Sequence, residues 1–283
     1  MFAAFPTVPT GLRPSLLVLA PVLAVAAVAA VVRGAASSDA DSGECASLAT
    51  QQLTYTSFEL RDLEYFAREL LKMKELMGLK PNMVFADVGA FDGKYTIPLA
   101  YEVLPYGKAY ATDVVEGGED GEGDLKWRGI PYGTNSIKAR VDEANVCARE
   151  TCTSYSLYTR SPKINVSAVL AKDDDVGLPA GELDAIMLRT SYHHLIKPLV
   201  ALHQFDRALK PGGRLLIIDN NAQDGPDSAG VPENRAGMGI DPRIILDELA
   251  TTLPHFTLEQ QLSDWVAPTR FGGQYAFLYV KPG

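Results

Sequence analysis

Cysteine is scarce in this chain: Cys45, Cys147 and Cys152 are the only three among 283 residues. Their spacings match none of the paired patterns that hold zinc, which argues against a metal site of that kind. Cys147 and Cys152 are close enough in sequence to bridge in an oxidising compartment, free thiols being the alternative, and Cys45 is left over either way. Runs of basic residues are missing as well. Lys and Arg number 26 against 35 Asp and Glu, a net charge of -9. Proteins bind phosphate backbones by neutralising them with Lys and Arg, so this balance disfavours nucleic acid and leaves a small molecule or a protein as the expected partner. The G-x-G-x-x-G fingerprint of dinucleotide loops is also missing where such a loop would stand.

What stands there is M-V-F-A-D-V-G-A-F-D-G-K-Y-T at residues 83–96, which reads as a buried strand, a tight turn and the first turn of a helix. Gly89 and Gly93 remove side chains where backbone approaches a ligand or takes positive φ, and Phe91 occupies the middle glycine position. Asp87, two residues before Gly89, would repel a pyrophosphate but can accept hydrogen bonds from an ammonium group. The stretch resembles motif I of the class I S-adenosylmethionine-dependent methyltransferases, D-x-G-x-G-x-G, with Asp87, Gly89 and Gly93 matching and Phe91 departing. The resemblance implies S-adenosyl-L-methionine as cofactor, lying across Asp87, Gly89, Ala90, Phe91 and Gly93.

The rest of the chain supplies further parts in order. Residues 107–113 read as a second strand ending in Asp113, about 20 residues beyond Gly93, where a carboxylate faces a ribose diol in doubly wound folds. Residues 163–170 read as a third strand, and the resemblance implies an adenine-contacting acid just after it, Asp173 or Asp174, with Lys172 able to occupy the usual acidic slot. A fourth strand over residues 183–188 runs into R-T-S-Y-H-H-L at residues 189–195, which holds two of the four histidines. Ligands bind beyond the carboxyl ends of such strands, so this segment is expected to face the transferred methyl. Arg189 is counted with the cofactor contacts, and Tyr192, His193 and His194 are the candidate catalytic residues, a histidine as proton acceptor and the tyrosine orienting the acceptor. L-K-P-G-G at residues 209–213, between an amphipathic helix and an apolar strand, is a further mark of the same family.

At the amino end, residues 15–32 form an uncharged apolar run at the lower length limit for crossing a bilayer. It reads as a signal-anchor or as a cleaved signal peptide, within a segment 1–36, followed by a linker 37–55 rich in Ser, Asp and Ala. The expected location is therefore a membrane or the secretory pathway or periplasm, with membrane contact through residues 15–32. Residues 56–59 carry a capping-box pattern opening a covering helix over 57–77, and the catalytic domain is expected over 56–283. Residues 116–124, five acids among four glycines, read as a loop, and residues 220–239 as a flap over the substrate.

The fold expected is an α/β, doubly wound, mostly parallel seven-stranded sheet with an antiparallel C-terminal strand. The function expected is methyl transfer from S-adenosylmethionine to a small-molecule acceptor. The alternatives are a nicotinamide-dependent oxidoreductase, a protein methyltransferase, and a non-catalytic membrane-tethered scaffold that retains the fold.

Overall fold

The computed structural model describes residues 60–116, 126–127, 130–147, 163–222, 231–232, 235, 237–265 and 273–283. In chain order these hold α1 (Leu60–Met77), β1 (Val84–Val88), α2 (Thr96–Glu102), β2 (Lys108–Asp113), β3 (Lys126–Trp127), β4 (Ile130–Pro131), α3 (Thr134–Cys147), β5 (Val166–Leu170) and β6 (Leu183–Arg189). A 3-10 turn over Tyr192–His194 follows, then α4 (Pro198–Ala208), β7 (Leu209–Asn220), α5 (Pro242–Thr252), β8 (Thr257–Leu262) and β9 (Gln274–Val280). Strands β3 and β4 pair only with each other. The other strands form one seven-stranded sheet in the order β5-β2-β1-β6-β7-β9-β8. The first five run parallel, and β9 is antiparallel to both its neighbours. This is the expected doubly wound architecture.

The apolar runs of the central strands require cover on both faces, because alternate side chains point to opposite sides. Ala86 and Val88 of β1 join a cluster with Leu202 and Phe205 of α4 and Ile245 and Leu249 of α5. Phe85 joins the opposite cluster with Met73 and Met77 of α1, Leu99 of α2 and Ile137 of α3. Helix α1 stops at Gly78, whose φ of +63° lets the Leu79 N–H return to the Lys74 carbonyl at 3.0 Å. Residues 209–213 do turn the chain from helix into strand. Leu183 pairs with Leu209 and Ala185 with Arg214, so the intervening residues bulge out of the ladder, with Gly212 at φ +76°.

From β1 the chain winds outward through β2 to β5, then crosses to β6 on the other side of β1. Connections leaving the carboxyl ends of β1 and β6 therefore diverge, and a crevice opens between them. The loop from Asp87 to Gly93, Asp113 and the segment from Arg189 to His194 lie along that edge.

The expectation of a membrane segment, with its location in a membrane, secretory pathway or periplasm, is corrected: among the described residues no helix is long and apolar enough to cross a membrane. The apolar run 15–32, the linker 37–55, the capping pattern 56–59 and most of the acidic loop 116–124 lie outside the described residues.

Candidate functional site

The loop after β1 is held from below by β2. The N–H groups of Gly89 and Ala90 both donate to the Thr112 carbonyl at 2.9 Å, and the Gly93 N–H donates to the Ala90 carbonyl. Gly89 and Gly93 take φ of +74°. A Cβ on Gly89 would lie 2.5 Å from the Ser191 Cβ, and one on Gly93 would touch Ile97 and Ile137, so the space these glycines leave is filled by protein. Phe91 adopts φ +57° without being glycine, and its ring stacks on Tyr132 at 4.7 Å with 10° between planes. The Gly133 N–H donates to the Phe91 carbonyl at 2.8 Å. The bulky side chain at the glycine position is thus accommodated by stacking against the stretch that precedes α3.

Asp87 is buried, and its Oδ2 accepts the Thr96 hydroxyl at 2.6 Å. Burial pushes its carboxyl up to about 7, and repulsion from Asp113 and Asp92 adds to this, while the Thr96 hydrogen bond and Arg189 oppose it. Asp113 closes β2 and accepts the Phe91 N–H at 2.9 Å and the Val115 N–H at 3.0 Å. Burial raises its carboxyl too, against those backbone donors. Asp173 and Asp174 are exposed in the loop after β5. Asp174 leans toward α4, 3.3 Å from the Lys197 amine, while Ala171 donates to the Asp113 carbonyl at 2.8 Å and so brings the loop beside Asp113.

Arg189 ends β6 and turns to α1. Its guanidinium pairs with the buried carboxylate of Glu69 and lies 4.6 Å from the Tyr95 ring centre. Tyr192 is buried with its hydroxyl donating to Glu248 of α5 at 2.7 Å, and the same carboxylate receives Arg235. The tyrosine hydroxyl is therefore engaged toward α5. A cleft of about 340 Å³ lies over this group, between the start of α4 at Lys197 to Val200 and Pro232.

His193 is 2% exposed. Its Nδ1 lies 2.7 Å from Asp219 Oδ1, and its backbone N–H donates to Asp219 Oδ2 at 3.0 Å. With Nδ1 turned to the Asp219 carboxylate, the other ring nitrogen, Nε2, is buried with no hydrogen-bond partner among the described residues. His194 sits at the rim with its ring 3.9 Å from that of His193. Desolvation and the neighbouring His193 push it down to about 4, so it is neutral at physiological pH.

The structure thus gathers Asp87, Gly89, Ala90, Phe91, Gly93, Asp113 and His193 along one sheet edge and leaves Asp173 and Asp174 in solvent. Sequence reasoning passed over Asp219, Glu69, Thr96 and Ser191. Asp219 had a signal, an acid at the carboxyl end of an apolar strand next to β6. Glu69 had none, because its partners lie in three remote stretches.

A family model described as a methyltransferase domain matches residues 59–266. No protein of curated function matches the sequence. Among solved structures, the chain is similar to a SAM-dependent methyltransferase from Aquifex aeolicus, at 21% identity over 78% of this chain and 93% of that one, with a TM-score of 0.52. A structure described as a methyltransferase of Bacillus halodurans C-125 follows at 17% identity, covering 76% of this chain and all of the other, with a TM-score of 0.50. The [4+2]-cyclase SpnF is similar to the same degree, at 17% identity and a TM-score of 0.50, over 76% of this chain and 80% of that one. At such identities these structures speak to the fold alone.

Proposed function

The chain belongs to the class I S-adenosylmethionine-dependent methyltransferases, and from that premise we propose that it methylates a small molecule whose accepting atom gives up its proton to His193. The cofactor is S-adenosylmethionine, and the residues at the loop suit it. Asp113 and Asp92 both stand close enough to repel the Asp87 carboxylate, an arrangement that a cationic ligand relieves and a pyrophosphate aggravates. When bound, the cofactor supplies a methyl group on a sulfonium, activated for in-line displacement.

In this reading Asp113 holds the ribose diol with the lone pairs left after accepting from Phe91 and Val115, and Asp87 faces the ammonium group. Gly89, Ala90, Phe91 and Gly93 shape the loop beneath. His193 takes the acceptor's proton on Nε2, and Asp219 fixes the tautomer and stabilises the imidazolium that results. Arg189 contributes charge near Asp87 rather than a direct contact. His194 forms the rim, and Tyr192 anchors the turn to α5. The net charge of -9 supports an acceptor other than nucleic acid.

The observation that carries this reading is the His193–Asp219 pair, at 2.7 Å, with a buried unpartnered Nε2 at the carboxyl end of the sheet. The test has two arms. Titration of the full chain with S-adenosylmethionine, S-adenosylhomocysteine and NADH is expected to show saturable binding of the two sulfur compounds only, weakened in Asp87→Ala. With an acceptor found by screening, His193→Ala is expected to lower kcat by about 10²–10⁴-fold with cofactor affinity retained. Undiminished turnover in His193→Ala would remove the histidine from the chemistry.

A further inference from the structure

Three stretches far apart in sequence converge on the side chain of Glu69 in α1, which is 2% exposed. Its Oε1 accepts Trp265 Nε1–H at 2.6 Å and Arg189 Nε–H at 3.0 Å. Its Oε2 accepts the Tyr95 hydroxyl at 2.7 Å and Arg189 Nη2–H at 3.2 Å. The guanidinium is gripped by two parallel hydrogen bonds and backed by the Tyr95 ring, so it has one available orientation.

What Arg189 is attached to gives this grip a consequence. Thr190 follows it at φ +52°, a left-handed backbone that a β-branched residue adopts only when its surroundings enforce it. The enforcing contacts are local. The Thr190 N–H donates to the Ile218 carbonyl at 2.7 Å, its hydroxyl donates to the Arg189 carbonyl at 2.8 Å, and Arg189 Nη1–H donates to that hydroxyl at 3.3 Å. Ser191 then donates to the Val88 carbonyl at 2.6 Å, and the chain enters the turn that carries His193 onto Asp219.

We infer that Glu69 is a positioning residue for the reaction: by fixing Arg189 it holds Thr190 in the left-handed conformation and so aims His193 at the reacting centre. This rests on His193 being the proton acceptor. Because Glu69 is seated by Tyr95, which opens α2, and by Trp265, between β8 and β9, the aim of His193 is tied to closure of three sides of the crevice.

The test needs no acceptor. In the full chain, hydrogen exchange of the His193 Nδ1–H is followed by nuclear magnetic resonance, assigned by its loss in His193→Gln, with the amides of Ile217 and Ile218 in β7 as internal controls. Glu69→Gln keeps the shape but breaks the charged two-pronged grip. It is expected to speed exchange of the His193 proton about tenfold or more while the two β7 amides keep their protection. Thr190→Gly is expected to do the same, since glycine takes φ +52° without strain but is not confined to it. An unchanged His193 proton in Glu69→Gln overturns the inference, as does an acceleration shared equally by Ile217 and Ile218, which would mark Glu69 as a support of global stability only. If Glu69→Gln does not fold, Arg189→Lys, which keeps the charge but breaks the same two-pronged grip, decides in its place by the same readout. Undiminished turnover in His193→Ala would refute the proton-acceptor role and leave this result standing, so the two failures are read separately.

Discussion

Asp87 is a carboxyl group at the end of an apolar strand, and burial shifts its ionisation from 3.8 to about 7. The native state therefore holds the proton more tightly than the unfolded chain. Below about pH 4 both states are protonated and the group has no effect on stability; between about 4 and 7 the unfolded state loses its proton first and stability falls. Above about pH 7 the full cost, on the order of 4 kcal/mol, remains. Asp87→Asn should lack this slope, so urea unfolding at about pH 4.5 and about pH 7.5 is expected to show the native protein losing more stability than the variant. The same group couples cofactor binding to pH. An ammonium group beside Asp87 favours its ionised form, so binding of S-adenosylmethionine just below pH 7 should release a proton, measurable as a calorimetric heat that scales with buffer ionisation enthalpy. Zero release would mean that the ammonium lies elsewhere. Asp87, Gly89 and Asp113 were legible in the sequence because each sits at a fixed offset from a strand end. The Asp219 partner of His193 was not, since a pair 26 residues apart forms only once β6 and β7 lie side by side.

Between residue and molecule, the junction of β1 with β6 carries the tightest constraint. Gly89 and Ser191 are in contact where the cofactor loop meets the histidine turn, and Gly89 also needs φ +74°. Gly89→Ala should cost about 2–4 kcal/mol, combining left-handed strain with overpacking. Ser191→Gly removes only the overpacking, so the double variant is expected to lose less than the sum of the singles by about 1–2 kcal/mol in thermal or urea unfolding. Strict additivity would mean that the two loops are not in contact in solution. A second junction ties α5 to the turn. Arg235 is 1% exposed and pairs with Glu248 at 2.7 Å, while Tyr192 donates to the same carboxylate. Glu248→Ala leaves a buried guanidinium without that partner and is expected to cost about 3–5 kcal/mol, against about 1 kcal/mol for Tyr192→Phe. Most element boundaries were read from the sequence to within a few residues, because apolar period and Pro or Gly punctuation mark them locally: residues 107–113 against Lys108–Asp113, and 183–188 against Leu183–Arg189. The β3–β4 hairpin was not anticipated, since strands of two residues carry no period.

For the molecule as a whole, the order of the sheet explains why ligand and fold should be thermodynamically inseparable. The doubly wound, mostly parallel seven-stranded sheet was legible because the motifs occur in family order along the chain, whereas the closure of the crevice was not: Glu69 and Trp265 are 196 residues apart, and neither belongs to a motif. The crevice exists only when β1 and β6 are paired, because Asp87 and Asp113 come from one half of the sheet and His193 and Asp219 from the other. An unfolded chain offers none of these groups together, so the cofactor binds the native state alone and must stabilise it by mass action. At 100 times its Kd the gain is about 2.7 kcal/mol, which for a domain of this size raises Tm by about 5–10 °C. S-adenosylhomocysteine, which keeps the ribose and ammonium groups, should do the same, and NADH at equal concentration should leave Tm unchanged. Scanning calorimetry of the full chain with each compound tests this directly. An equal rise with NADH would mean that the crevice recognises only the adenosine half. No rise with either sulfur compound would mean that the two halves of the sheet do not assemble a cofactor site in solution, and the acidic groups gathered at the loop would then need another cation to explain them.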